Sequence, residues 1–275
     1  MVYSEDDEAA APWQDLNKYF EPMKQSLKKL RAYSVEAMDG PKGKVRDFLF
    51  DEDRWVIRCL EADYGRLLGK KKVLIPKTFM QVPDTYNEKF PVNLEGKDIE
   101  ACPGLDEKVP ASRAYEAELN RHLGIDNYWM YDFSGMGSSM LYPPRPLKIP
   151  PKVVSEKNLE TSLRSFDEVK GYRIKAIDGI MGHIDDIIVD DKDWQIIYII
   201  ADTSNWLPWS KKVMLPLDFL EDISYIEQQV RIELKKEIIK NAPEYDSSRP
   251  PEIQAERAVY EYLTMLMLDK MEEEN

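Results

Sequence analysis

Acidic side chains are the residues of this sequence most able to do chemistry, and several of them lie close together in its second half. The cluster consists of Asp185, Asp186, Asp190, Asp191 and Asp193. Clustered carboxylates suit hard cations such as Ca²⁺. The D-x-D-x-D-G spacing of a calcium loop is absent, however, and aspartates are favoured in tight turns because they accept hydrogen bonds from their own backbone. We therefore expect the cluster to form a structural turn, with cation binding as the alternative.

Motifs for catalysis or for a metal centre are missing from the sequence. His122 and His183 are the only histidines, and neither has a second ligand at the spacing of a metal site. There is no G-x-S-x-G elbow, Walker loop or G-x-G-x-x-G fingerprint. Cys59 and Cys102 lie far apart without a C-x-x-C spacing, as expected of buried thiols in a reducing compartment. The sequence therefore predicts a protein that is not an enzyme and that has no cofactor.

The composition is that of a folded protein with more than one core. The chain has 275 residues, of which 43% are hydrophobic and 32% are charged, and this length is enough for two domains. The formal net charge of −13 repels phosphate backbones, so nucleic acid is not expected as a partner. The acidic start is unlike a signal peptide, and no apolar run reaches the length of about 18 residues that a membrane span needs. We predict a cytoplasmic protein without membrane insertion.

An internal repeat organises the chain. The segment Tyr33–Gly43 returns 139 positions later as Tyr172–Gly182, without a gap. Further pairs at the same offset are Asp47 with Asp186, Asp51 with Asp190, Trp55 with Trp194, Ala62 with Ala201 and Asp63 with Asp202. After one inserted residue the sequence around Lys71–Pro76 corresponds to Lys211–Pro216, and we align Val92–Glu95 with Val230–Glu233. Such a match predicts that one structural module occurs twice.

Each copy of the repeat has the pattern of a small antiparallel β-barrel. Apolar residues alternate with polar ones from Tyr33 to Ala37, and a period of two is typical of a half-buried strand. Asp39 and Gly40 then favour a tight turn, which predicts a hairpin. Further strands are expected at 44–50, 55–62, 73–75 and 92–94 and, in the second copy, at 183–189, 194–201, 213–215 and 230–232. The predicted fold class is mainly β (α+β).

A helix is expected to follow each barrel, and a proline-rich linker is expected to join the two. The helices are predicted within Pro110–Trp129 and Arg257–Lys270. The apolar stripe of the second helix includes Tyr262 and Leu266 and is broad for a surface helix, so it predicts packing on two sides, for instance against a second subunit. Five prolines within Tyr142–Pro151 indicate an extended, semi-rigid spacer.

The second copy carries the more apolar surface. Arg58 and Glu61 on the central strand of the first copy are replaced by Ile197 and Ile200 in the second, so the second strand needs a cover. Two tryptophans beside a proline in the following loop are residue types that anchor interfaces. The candidate surface for a partner or a dimer comprises Ile197, Ile200, Trp206, Leu207, Trp209, Tyr262 and Leu266. The alternative is that the loop closes the barrel end or contacts the first copy.

Taken together, these segments resemble the PRC-barrel family, which includes the cytoplasmic domain of the photosynthetic reaction-centre H subunit. The resemblance rests on Gly182–Asp186, Trp194–Asp202, Asn205–Pro208, Lys212–Pro216 and Ile238–Asp246. The chain is most similar to stand-alone bacterial proteins that carry two such barrels in tandem. The resemblance implies a β-barrel in each copy, no enzyme activity, and docking onto other macromolecules or onto a membrane electron-transfer complex.

The predicted organisation has five segments. They are an acidic lead-in at 1–26, the first barrel with its trailing helix at 27–129, the linker at 130–160, the second barrel at 161–246 and a C-terminal helix at 247–275. The predicted function is a non-enzymatic binding or assembly module without a membrane anchor, which takes a protein partner or self-associates as a homodimer. One alternative is a small-ligand or cation-binding protein that holds a quinone or a metal at the barrel mouth or the Asp-rich turns. A further alternative is an accessory factor similar to ribosome-maturation factors.

Overall fold

The chain folds mainly into β-strands, which form two sheets. The computed structural model describes residues 23–64, 71–104, 113–127, 163–203, 211–248 and 256–263. Within these ranges one sheet has six strands and the other has seven. The prediction of a mainly β fold is confirmed.

The first sheet is built from the first half of the chain and receives one strand from the second half. Its strands are β2 (Ser34–Ala37), β3 (Gly40–Asp51), β4 (Val56–Tyr64), β5 (Lys71–Pro76), β6 (Lys89–Pro91) and β7 (Leu163–Ser165). Neighbouring strands follow the order β5-β4-β3-β2-β6, and β7 pairs with the end of β3.

The second sheet is built from the second half of the chain and receives one strand from the first half. Its strands are β1 (Lys24–Ser26), β8 (Arg173–Ala176), β9 (Gly179–Asp190), β10 (Ile196–Asp202), β11 (Lys212–Pro216), β12 (Leu220–Ser224) and β13 (Gln229–Ile232). They follow the order β11-β10-β9-β8-β13-β12, and β1 pairs with the end of β9.

The helices are short. They are α1 (Leu27–Leu30), α2 (Gly96–Ala101), α3 (Arg113–Leu123), α4 (Phe166–Val169), α5 (Lys236–Asn241) and α6 (256–263), with 3-10 turns at Lys77–Phe79 and Leu217–Phe219. Helix α3 lies within the segment predicted to be helical after the first copy, and α6 lies within the predicted C-terminal helix. None of the helices in the described ranges has the length and apolarity that a membrane crossing requires.

Equivalent elements follow each other in the same order in both halves. The sequence β1-α1-β2-β3-β4-β5-β6-α2 corresponds to β7-α4-β8-β9-β10-β11-β13-α5. We refer to residues 24–101 as the first repeat and to residues 163–241 as the second repeat. Residues 24–26 fall within the predicted acidic lead-in, but they form strand β1 and belong to the folded part. The predicted linker at 130–160 lies outside the described residues.

The predicted hairpin is present in both repeats. Ala37 pairs with Gly40, and Ala176 pairs with Gly179. Close backbone approach fixes a further glycine in each repeat. A Cβ atom on Gly43 would lie 1.9 Å from the carbonyl oxygen of Asp63, and one on Gly182 would lie 2.1 Å from that of Asp202. Only glycine fits where strands come this close.

The prediction of purely antiparallel strands is wrong for one pair in each sheet. Strand β6 runs parallel to β2, and β13 runs parallel to β8. After β5 and β11 the chain passes through the 3-10 turns and crosses to the far side of the hairpin, where β6 lies beside β2 and β13 lies beside β8 in the same direction. A crossover connection is the geometry that parallel pairing needs.

This pairing also corrects the alignment of the repeats. Ser34 pairs with Lys89 in the first sheet, and Arg173 pairs with Gln229 in the second. Because Ser34 and Arg173 are equivalent, Lys89 corresponds to Gln229, an offset of 140. The predicted alignment of Val92–Glu95 with Val230–Glu233 is therefore wrong by two residues, and the predicted strand at 92–94 lies instead at Lys89–Pro91.

The buried apolar side chains of the two repeats form one continuous cluster. In the first repeat the buried alternation of Val35 and Ala37 on β2 is that expected of a half-buried strand, and Ile174 and Ala176 repeat it on β8. A shared core means that the repeats do not bury their apolar surface independently of each other.

Candidate assembly site

Each repeat completes the sheet of the other with its first strand. Strand β1 lies antiparallel to β9, with Ser26 opposite Ile188. Strand β7 lies antiparallel to β3, with Ser165 opposite Leu49. Ile188 and Leu49 are equivalent positions of the two repeats, so the two exchanges are reciprocal. We call these four strands, with the side chains that fasten them, the exchange joint.

A buried aspartate fastens each exchanged strand. Ser26 is the last residue of β1 and directly precedes α1. Its hydroxyl donates to Asp186 Oδ2, and the backbone N–H of Lys28 donates to Asp186 Oδ1 at 3.0 Å. The hydroxyl of Ser165 donates to Asp47 in the same way, and the N–H of Asp167 donates to Asp47 Oδ1 at 3.1 Å. Each carboxylate therefore binds the N-terminal turn of a helix that belongs to the other repeat.

The same two serines also cap their own helices. Ser26 Oγ accepts from the N–H of Lys29 at 3.0 Å, and Ser165 Oγ accepts from the N–H of Glu168 at 3.1 Å. Serine is a favoured N-cap because its oxygen satisfies an amide that has no partner within the helix. The sequence places this cap immediately after the exchanged strand, so a single side chain starts the helix and fixes the strand.

The aspartates of the joint are held in an apolar setting that disfavours their charge. Asp47 and Asp186 are 5% and 4% exposed. Burial raises the pKa of both carboxyl groups above the ordinary value, and the hydrogen bonds from the serines and the backbone oppose this shift. Since every side-chain and backbone partner named above is a donor, the arrangement fits the ionised carboxylate.

The middle residue of each exchanged strand reaches an acid in the turn that follows β3 or β9. Gln25 Nε2 donates to Asp191 Oδ2 at 2.9 Å. At the equivalent position Arg164 Nε donates to Glu52 Oε2 at 3.0 Å, and its guanidinium lies 3.8 Å from the ring centroid of Tyr225. The two hydrogen bonds again join residues of opposite repeats, whereas the contact of Arg164 with Tyr225 lies within the second repeat.

Two tryptophans connect the repeats at a second place. Trp55 and Trp194 occupy equivalent turns after β3 and β9, and both have left-handed backbones, with φ of 57° and 58°. The ring of Trp194 lies on two phenylalanines of the first repeat, with centroids 6.2 Å from Phe48 and 5.4 Å from Phe90. Both tryptophans are 3% exposed. The sequence comparison paired these residues but placed them at the start of a strand, whereas the strands begin at Val56 and Ile196.

Three of the seven residues predicted to form a partner surface are buried or half-buried, and the other four lie outside the described residues. Ile197 is half-buried against the core. Ile200 is completely buried, so a single chain already covers this part of the strand. Tyr262 is half-buried and its hydroxyl donates to the carbonyl of Ile238 at 3.1 Å. Trp206, Leu207, Trp209 and Leu266 lie outside the described residues.

The Asp-rich segment is occupied by contacts within the chain. Asp185 pairs with Lys28 at 2.5 Å and with Lys212 at 2.8 Å. Asp190 and Asp193 accept from backbone amides of their own turn, as expected of turn aspartates. Across the residues that the structure describes, no three His, Cys, Asp or Glu side chains are placed to hold a metal ion. The prediction of a structural turn therefore fits the contacts of this segment.

Two further features among the described residues are the buried thiols and a cleft at the surface. Cys59 and Cys102 are both buried, as predicted, and burial raises the pKa of Cys102 to about 11. A cleft of about 460 Å³ is lined by Lys212, Glu244, Tyr245, Asp246 and Ser247. Sites for small organic ligands are mostly apolar and enclosed, and this lining is mostly polar.

Comparison with protein families supports the assignment for the second repeat. Residues 164–239 match the model of the PRC-barrel domain. The second repeat is a PRC-barrel domain. The match begins at Arg164, so the PRC-barrel domain includes most of β7, a strand that pairs with the first repeat. No curated protein was found to match the chain.

Sequence reasoning missed the exchange joint for a physical reason. The two exchanged strands are three residues long, and their partners lie more than a hundred positions away in the chain. One signal was available, because in both repeats a serine, Ser26 or Ser165, precedes four residues of which the first and the last are apolar. That pattern predicts a capped helix, although it does not say which sheet the preceding strand joins.

Proposed function

We propose that this protein is a non-enzymatic module for binding and assembly, in which two PRC-barrel units form one body that docks onto a protein partner. The assignment of the first repeat as a second PRC-barrel is supported by its equivalent order of elements. It is supported further by the joint, because Asp47 and Asp186 make the same contacts at equivalent positions.

Exposed apolar side chains at equivalent turns carry the proposal. Tyr86 is 92% exposed in the turn before β6, and Ile226 is 99% exposed in the turn before β13. The turns correspond because Glu88 and Gln228 close them with left-handed backbones, at φ of 53° and 50°. A single exposed apolar side chain needs no explanation, but here the exposure recurs in both repeats with different residue types.

A second pair of equivalent turns also carries exposed apolar side chains. Met38 and Ile177 follow β2 and β8 and are 66% and 63% exposed. Because the repeats are joined, a partner with two matching sites would gain from both, and the second contact would form at a high local concentration. Burial of one such side chain contributes roughly 1.5–3 kcal/mol, so a few of them suffice for a specific weak complex.

The test compares substitutions in the turns before β6 and β13. Tyr86→Glu combined with Ile226→Glu removes the two apolar side chains, whereas Thr85→Glu adds one negative charge beside Tyr86 and leaves both apolar side chains in place. Light scattering and a pull-down on the full chain are expected to show self-association or a retained partner for the unchanged protein and for Thr85→Glu, and a loss for the double variant. A strictly monomeric protein that retains no partner would contradict the proposal.

The alternative of a small-ligand or cation-binding protein has its own readout. A ligand that prefers the folded state raises the melting temperature. Thermal unfolding measured with divalent metal ions, a soluble quinone and nucleotides should leave the melting temperature unchanged, because the described aspartates are engaged within the chain and the cleft is mostly polar. A saturable rise with any one of these would favour the alternative.

A further inference from the structure

We propose that the exchange joint also forms between two copies of this chain, with each copy placing its first repeat on the second repeat of the other. The partner at this surface is a second copy, and it contributes β1 and β7 to the sheets that it completes. This inference goes beyond docking to an external protein, because it uses the joint and not the exposed turns.

The contacts of the joint do not depend on the covalent connection between the repeats. The strand pairs, and the bonds that Asp47 and Asp186 accept from the exchanged serines and from the helix amides after them, join residues of 23–127 to residues of 163–263. The connection runs through residues 128–162, which could reach on the order of 100 Å if fully extended. The second repeat of another copy offers the same partners at the same positions.

The protein concentration sets the balance between the closed monomer and the exchanged dimer. A closed monomer and a closed exchanged dimer bury the same joint, so they differ mainly in the entropy of the connection. Within one chain, the covalent connection raises the concentration of each repeat near the other above that of separate molecules in dilute solution. Dimers are therefore minor in dilute solution and increase when folding takes place at high protein concentration.

Conversion between the forms requires the joint to open. Opening exposes two buried carboxylates and two tryptophans that are 3% exposed, so it is slow compared with a surface contact. A dimer formed during folding is expected to persist after dilution, whereas a complex formed through exposed turns would dissociate and re-form freely.

The test uses the full chain with a labelling site that is part of neither the joint nor the exposed turns. Glu221→Cys places a thiol on β12 at an exposed position, whereas the native Cys59 and Cys102 are buried and protected in the folded state. Donor-labelled and acceptor-labelled proteins are mixed in denaturant, refolded together at about 1 µM or about 500 µM, and compared after dilution to the same low concentration. Energy transfer and a doubled mass are expected only after refolding at the high concentration.

Three controls decide the outcome. The two labelled proteins mixed after separate folding should show no transfer, and the Tyr86→Glu and Ile226→Glu background should not change the result. Ser165→Ala should shorten the lifetime of the diluted dimer several-fold, whereas Ser34→Ala, which removes a hydroxyl bonded within the first repeat, should not. Monomer alone at every refolding concentration, or transfer that appears on mixing folded proteins, would overturn the proposal and leave the docking proposal standing.

Discussion

The carbonyl oxygen of Trp55 accepts the N–H of Ile196 at 2.7 Å, and the carbonyl of Trp194 accepts the N–H of Ile57 at 2.9 Å. The two bonds are equivalent, because Trp55 and Ile57 correspond to Trp194 and Ile196. A tryptophan with a positive φ is costly by itself, by roughly 1–3 kcal/mol. The reciprocal bonds and the burial of both rings compensate for that cost. The tryptophan turns therefore join the repeats at a place separate from the exchange joint.

Truncation of Trp194 should separate the contribution of its ring from that of its backbone. Trp194→Ala removes the ring from Phe48 and Phe90 and should lower the free energy of unfolding by about 3–5 kcal/mol. Trp194→Gly removes the same ring but relieves the left-handed backbone, so it should be the more stable of the two by about 1 kcal/mol. Urea unfolding of both variants checks the order, and a glycine variant less stable than the alanine variant would contradict this account of the turn.

Removal of a joint carboxylate should destabilise the chain. Asp47→Ala leaves the hydroxyl of Ser165 and the N–H of Asp167 without their acceptor, and the expected loss is about 1–3 kcal/mol in the free energy of unfolding. Asp84→Ala is the comparison, because the carboxylate of Asp84 accepts from Tyr86 and Asn87 of its own exposed turn, and it should cost less. Equal losses in denaturant unfolding would show that the joint contributes no more than a surface turn.

The pH dependence of stability should differ in sign between two neighbouring aspartates. Burial raises the folded-state pKa of Asp186 above its ordinary value of 3.8, so its contribution is fully present below that value and is lost as the pH rises through the folded pKa. Although burial acts to raise it, hydrogen bonds from Lys212 and Lys28 lower the pKa of Asp185 overall. Its contribution is present above 3.8 and is lost as the pH falls through the folded pKa.

Asparagine variants make this difference measurable. Relative to the unchanged protein, Asp186→Asn should lose stability as the pH is lowered from neutral towards 3.8, and Asp185→Asn should gain it at and below that pH. The measurement is the free energy of unfolding of the three proteins across this range. The same direction of change for both variants would be inconsistent with the contacts of the joint.

Close approach of the backbone of Asp63 should make the substitution of Gly43 destabilising. Gly43→Ala places a Cβ atom 1.9 Å from the carbonyl oxygen of Asp63 and should cost about 1–3 kcal/mol, because the strands must separate. Gly104→Ala meets only the flexible side chain of Lys71, at 3.4 Å, and should be nearly neutral. Thermal unfolding distinguishes the two, and a tolerated Gly43→Ala would contradict the strand register.

Features that depend on a local sequence pattern were predicted correctly. Features that depend on pairing between distant segments were missed. The hairpins follow from period-two alternation and from Gly40 and Gly179, and both are present. The parallel pairing of β6 and β13 and the strand β12 were missed, because these short segments pair only after the chain has crossed the sheet. The role of Asp47 was missed because its partner Ser165 lies 118 positions away, and no property of a single segment indicates that contact.

The exchanged strands and the tryptophan turns are expected to hold the two repeats together without help from the covalent connection. The most direct measurement places a specific protease site within residues 128–162 of the full chain, cleaves the folded protein and determines its mass by light scattering. The account predicts that the cleaved protein keeps the mass of the intact chain and dissociates only in denaturant. Separation of the two halves as soon as the chain is cut would contradict it.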